Sequence, residues 1–385
     1  MPGLPNRREF IQGISAAAAA LCLKPSSLLA STLPPAAPVA FAKCASYGAE
    51  AHQTLHTLFD QLGGLDRLVR GKTVAVKLNM TGGARNRLNG MPLGMTHWVN
   101  PDIIASTVHL LGRAGAKRIR LVESTASPAD SLPDFMLQAG WKPNDFMSAA
   151  RGVEFEDTNY AGPTGKYVRM RVPGGGLLFK AYDLNHSYED CDVYVSLAKL
   201  KEHATAGVTL SMKNSFGITP ATIYGMGAGI DEPAKVARGS RVNTLHDGGR
   251  QPSKDALPEN DPGSPRDPGY RVPRVVADLA AARPIHLAVI DGISTVAGGE
   301  GPWINRCRPV HAGLLIAGTN CVSTDAVAAA LMGFDPMAGR GTAPFEHCDS
   351  TLELAEQRGI GTRDLRRIEV IGMPISKAKV DFRSV

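Results

Sequence analysis

The chain has 385 residues, a formal net charge of +6, 43% hydrophobic residues and six cysteines. That is long enough to bury a large core, as one big α/β domain or two smaller ones. The mild basicity comes without basic runs or interleaved aromatics, which argues against nucleic acid as a partner.

In chain order, the first signal is MPGLPNRREFIQGISAAAAALCLKPSSLLA, where Arg7 and Arg8 precede an alanine-rich run ending at Pro25. This resembles a twin-arginine export signal. The apolar run is too short to span a bilayer, and Cys22 follows Leu21 rather than a small residue, so no stable membrane anchor is expected. Residues 1–30 are therefore read as a signal peptide, and the protein as periplasmic or extracellular, with the twin-arginine translocase as its partner during export. Their removal takes away Arg7, Arg8, Lys24 and Glu9 and lowers the formal charge from +6 to +4. The remaining cysteines, 44, 191, 307, 321 and 348, form no C-x-x-C pair. Their spacing argues against an iron–sulfur cluster or zinc knuckle, and buried single thiols are the default reading.

A single α/β domain is expected over residues 39–372. Val39 opens the first strand, and Thr73 to Asn79 reads as the next. Asn100, Pro101 and Asp102 then supply the cap, first position and acidic first turn of a helix running to Gly112, with Ile103, Ile104, Val108 and Leu111 as its buried stripe. Arg118 to Glu123 is a strand, and a helix follows around Asp130 to Ala139. After a break the rhythm resumes with a strand at Asp192 to Leu197, a helix at Val272 to Ala282, strands at His286 to Asp291 and Gly313 to Ala317, and a helix at Thr324 to Leu331. This predicts a mostly parallel sheet flanked by helices, built from two βαβ-type halves. Between the halves, residues 230–269 are rich in Gly, Pro, Asp, Arg and Ser, and read as either a disordered insertion or a lid.

Each predicted strand is apolar and ends in polar residues: Lys77 and Asn79, Glu123, then Lys199, Lys201 and His203, then Asp291. In an open parallel sheet the carboxyl ends share one edge, where ligands bind. The i, i+2, i+4 spacing of Lys199, Lys201 and His203 puts them on one face while the chain stays extended. Lys213 and Asn214 are expected to face the same crevice. His97 and His246 are lone histidines, more often surface or structural than functional. Asp325 suits the first turn of its own helix and is also a candidate ligand group.

The strand ending Lys77-Leu-Asn79, Lys199-Leu-Lys-Glu-His203, Met212-Lys-Asn-Ser-Phe-Gly217, Asp291-Gly-Ile with Glu300-Gly-Pro302, and Thr324-Asp-Ala-Val-Ala through Met332-Gly-Phe-Asp-Pro336 together resemble the domain of unknown function 362 family. The K-x-K-x-H followed by M-K-N-x-F-G is the specific part. Some relatives carry cysteine-rich ferredoxin segments, which this chain lacks, so that association is not carried over. The resemblance implies a fold and a pocket rather than a reaction.

Two function classes follow. In the first, the protein is an enzyme acting on a small carboxylate or phosphate, with Lys77, Asn79, Lys199, Lys213, Asn214 and Asp325 binding the ligand and Lys201, His203, Glu123 and Asp291 carrying the chemistry. In the second, the same crevice captures an anionic ligand, organic cofactor or metal without chemistry. A metal would recruit His203, His246, Glu123, Asp291 or Asp325. Glu123 and Asp291 weaken anion binding and are better explained by proton transfer, which favours the enzyme.

Overall fold

The structure is a computed structural model that describes residues 33–126, 131–239 and 241–384. Arg7 and Arg8 lie outside the described residues. The strands in chain order are β1 (Val39–Lys43), β2 (Thr73–Lys77), β3 (Arg118–Glu123), β4 (Val153–Asp157), β5 (Val168–Arg171), β6 (Ala181–Leu184), β7 (Val193–Lys199), β8 (Glu202–His203), β9 (Gly207–Val208), β10 (Leu287–Ala297), β11 (Arg308–Gly318) and β12 (Val370–Ile371). Eight of them form one sheet in the order β12-β1-β11-β10-β7-β2-β3-β4, while β5-β6 and β8-β9 are separate two-stranded pairs.

Neighbours from β10 through β4 pair in parallel, as do β1 and β12. Only β11 runs against the rest of that sheet, antiparallel to both β10 and β1. The near-continuous apolar runs of β2, β3, β7 and β10 follow from burial on both faces. On one face, Val74, Val76, Leu121, Val195, Leu197 and Val289 pack under the helices Ala49–Gln61 and Pro101–Arg113. On the other, Ala75, Val122, Tyr194, Ala198 and Ile290 pack against the helices Pro268–Ala282 and Cys321–Leu331. The start of the Pro101–Arg113 helix is as the sequence predicts, with the Asn100 side chain accepting from the Asp102 amide at 2.9 Å and Pro101 in the first turn.

One part of the sheet departs from the sequence expectation. The strand expected to stop at Asp291 continues to Ala297, and its partner begins at Arg308 rather than Gly313. The register slips between Gly292 and Ser294, so Asp291-Gly292 marks a bulge and not a strand end. The β10–β11 hairpin therefore extends well past the sheet's edge. The described residues between 230 and 269, read from the sequence as either a disordered insertion or a lid, are held to the fold. Glu259 accepts from Arg271 of the Pro268–Ala282 helix at 2.9 Å and from Arg266 at 2.6 Å, and Gln251 donates to it at 2.6 Å.

Candidate functional site

Lys77 and Glu123 are the last residues of β2 and β3, so their side chains emerge at the carboxyl edge of the parallel block. They form an ion pair at 2.6 Å, and both are almost wholly buried. The Lys77 ammonium also donates to the Leu78 carbonyl at 2.7 Å, while Glu123 accepts from the Met80 and Ser124 amides at 3.0 Å each. Burial pulls the Lys77 amine below its usual range, and Glu123 opposes that pull. Gly217 closes over this pair. A Cβ there would come within 3.0 Å of the Lys77 Nζ and 3.5 Å of a Glu123 carboxylate oxygen.

A cavity of about 740 Å³ opens above this floor. Lys77, Asn79, Glu123, Lys201, His203, Lys213 and Asn214 all line it, so seven of the ten residues singled out in the sequence converge there. Asn79 donates to the Asn214 side-chain oxygen at 2.9 Å, and its own buried Oδ1 has no hydrogen-bond partner among the described residues. Asn214 in turn donates to Ser196 Oγ at 3.0 Å and to the Leu197 carbonyl at 3.3 Å. This ties the Leu210–Asn214 helix to the end of β7.

Lys201 and Lys213 differ in their bonding. Lys201 donates to the His97 carbonyl at 2.6 Å and to the Glu300 carbonyl at 3.2 Å. Lys213 is half-buried with its Nζ 4.2 Å over the Phe216 ring, and among the described residues its amine has no hydrogen-bond acceptor. Burial is the main force lowering both amines to about 7. Lys213 and Lys199 add repulsion at Lys201, as Lys77 and Arg241 do at Lys213, while Glu300 opposes the shift at both. Near neutral pH each lysine is thus poised between charged and neutral forms.

Three residues expected at the site lie elsewhere. Asp291 and Lys199 alternate with Ile290 and Ala198, so they turn to the sheet face covered by the Pro101–Arg113 helix. There they form a fully buried ion pair at 2.7 Å. Lys199 also donates to the Gly94 carbonyl at 3.0 Å, and Asp291 accepts from the Asn100 amide at 2.9 Å and the Tyr47 hydroxyl at 3.0 Å. Asp325 is buried behind the site and accepts from the Ser211 and Met212 amides at 2.9 Å and from Ser211 Oγ at 2.6 Å. It holds the start of the short helix that carries Lys213 and Asn214. None of the three lines the cavity, where they were expected: Asp291 and Lys199 pair with each other, and Asp325 binds the start of the helix that carries Lys213.

The structure adds Arg241, Glu300 and Trp303, which sequence reasoning did not place in the site, and brings in His246, which the sequence offered there only as a metal ligand. Arg241 and His246 come from the 230–269 segment, whose Gly239, Arg241, Val242 and His246 line one wall of the cavity. The Arg241 guanidinium donates to the Gly239 carbonyl at 2.9 Å and the Thr219 carbonyl at 2.8 Å, and also reaches Ser124 Oγ. Glu300 and Trp303 hang from the extended β10–β11 hairpin. Glu300 accepts from the Ala204 amide at 3.0 Å and the Trp303 indole at 2.8 Å. Burial alone would raise Glu300, but His203, these two donors and a further backbone amide bring it down to about 2. Burial holds His203 well below its usual range and His246 at about 4, with Lys213 adding repulsion in each case. Both imidazoles are therefore neutral at pH 7. Glu300 carries a signal in the sequence, the Glu-Gly-Pro of the family resemblance, and His246 is a candidate there as a metal ligand. Among the described residues, no group of three or more His, Cys, Asp or Glu side chains is arranged to hold a metal ion.

Residues 74–330 match the family described as Domain of unknown function (DUF362), so the chain belongs to that family. A thylakoid-associated protein of Synechocystis sp. is 27% identical over 182 residues, covering 46% of this chain and 50% of the relative. The chain thus spans about half the length of this curated relative. A crystal structure of a Thermotoga maritima protein superposes with a TM-score of 0.35 and 12% identity, over 66% of this chain and 54% of the other. No helix among the described residues is long and apolar enough to cross a membrane.

Proposed function

We propose that this protein is an exported enzyme that binds a small carboxylate or phosphate in the cavity and moves a proton on it. The observation that carries the reading is the Lys213 amine, which enters the cavity without an acceptor among the described residues. An ammonium in that position offers three donors to an anion. The Lys201 ammonium, held at the cavity wall by the His97 and Glu300 carbonyls, adds positive charge beside it. The volume suits a small organic ligand, since such sites commonly occupy about 300–1,000 Å³.

Amines balanced near neutrality also serve as acid or base, because proton transfer is most efficient when the group's pKa lies close to the working pH. Neutral His203 and His246 supply further acceptors, and ionised Glu300 keeps the net charge moderate. The Lys77–Glu123 pair, closed off by Gly217, is a floor that orients its neighbours rather than a free acid and base.

The test is to titrate the purified protein at pH 6 with inorganic phosphate, malonate and pyruvate while following its melting temperature, then to follow the bound acid's C–H signals by NMR in D2O. A rise in melting temperature followed by deuterium exchange supports the enzyme. Binding without exchange makes the protein an anion-binding protein. Absence of any shift with all three anions rejects the reading.

A further inference from the structure

We infer that the acid bound here is carried on a flat aromatic ring that stacks on Trp303. The inference rests on the reading above, that an anion sits at Lys213, and it concerns what is attached to the anion. Trp303 is 42% exposed, an uncommon state for a tryptophan held so firmly. Two separate loops bring glycine against its ring. A Cβ at Gly82 would lie 2.5 Å from one ring carbon, and a Cβ at Gly301 would lie 2.4 Å from another. No side chain fits at either place while the indole stays where it is. Gly82 also has a φ of +80°, which independently favours glycine.

The indole N–H is tied to Glu300 at 2.8 Å, and the Glu300 carboxylate is tied to the Ala204 amide. The ring edge also meets His97, with centroids 5.6 Å apart and planes at 89°. The ring is thus immobilised on backbone, and the ordering cost of a binding platform is met before any ligand arrives. Trp303 lines the cavity together with Ile304, Val242, Phe216 and Met80. Any apolar wall would serve an aliphatic acid. A fixed indole adds stacking that only a flat π-system can use. Glu300 links the two ends of the site, because it bonds the indole and acts electrostatically on Lys213.

The experiment compares 2-naphthoate with decahydro-2-naphthoate, which has the same carbon skeleton and charge but no aromatic ring, by isothermal titration at pH 6. The wild-type protein is expected to bind the aromatic acid about 3- to 10-fold more tightly, the range that aromatic pairing adds to area burial. Trp303→Leu should remove that preference, so that the two acids bind with equal affinity whatever the change in either alone, and Trp303→Phe should keep part of it. Equal binding of the two acids by the wild type, or a preference that survives Trp303→Leu, overturns the inference and leaves the anion site standing. If neither naphthoate binds while phosphate, malonate or pyruvate does, the aromatic inference alone falls. If no anion binds, the reading beneath it falls as well.

Discussion

Replacing Lys213 with Met keeps most of the side chain's volume and removes its charge, so it separates a ligand-binding lysine from a scaffold lysine. A charged hydrogen bond contributes about 1.5–3 kcal/mol, so the variant should bind 2-naphthoate or phosphate roughly 10- to 100-fold more weakly at pH 6. The loss should shrink by pH 9, where the wild-type amine, poised at about 7, has already given up its proton. Stability should move the other way. Unfolded, this lysine titrates near 10.5; folded, it titrates at about 7. Below pH 7 both states hold the proton, and the native state bears the full cost of a desolvated charge beside Lys77 and Arg241. Between about 7 and 10.5 the unfolded chain binds a proton that the folded chain has released, so wild-type stability climbs with pH across that window. The Met variant lacks the part of this climb that Lys213 contributes. It should therefore be more stable than wild type at pH 6, with the margin closing towards pH 10. Urea unfolding at pH 6, 8 and 9.5, paired with isothermal titration on the same samples, reads both effects. A variant that binds normally at pH 6 but unfolds at lower urea would refute the reasoning and assign Lys213 to the scaffold.

The remaining predictions draw on other parts of the structure. Wild-type affinity for 2-naphthoate, which stays ionised from pH 6 to 9, should fall as pH rises through about 7, because Lys201 and Lys213 lose charge together there; a flat affinity across that range contradicts the assignment. Lys199→Met strands Asp291 in a fully buried position and should cost about 3–5 kcal/mol in urea unfolding, with Lys199→Met/Asp291→Leu recovering part of the loss. A single variant within about 0.5 kcal/mol of wild type would return Lys199 to the solvated lysines. Asp325→Ala leaves the Ser211 and Met212 amides without their acceptor, so it should cost about 2–4 kcal/mol and weaken phosphate binding through the displaced Lys213. Changing Arg7 and Arg8 together to Lys should leave precursor in the cytoplasm, since lysine lacks the planar guanidinium fork. Cell fractionation checks this, and normal export of the double variant would reject the twin-arginine reading.

Much of the architecture was legible because its causes are local. Alternating apolar runs, the Asn100-Pro101-Asp102 helix start and the polar residue closing each strand all express short-range rules, and parallel pairing carries those closing residues to one edge. The convergence of Lys77, Glu123, Lys201 and His203 follows from that geometry. What local pattern does not contain is which strand lies beside which. Lys199 reads like Lys201 until β10 is placed next to β7, bringing Asp291 within 2.7 Å and turning a candidate ligand into an internal ion pair. Asp291-Gly292 reads as a strand terminus until the hairpin partner shows that the strand runs through a bulge and carries Glu300 and Trp303 over the cavity. Arg241 and His246 sit in a segment without periodicity, so no repeat could announce that it forms a wall. The sequence by itself determined the α/β class, the edge on which chemistry collects and the residue types available there. Only the tertiary structure decided which of those charges are neutralised inside the protein and which are left to face a ligand, because pairing and burial depend on neighbours far away in the chain.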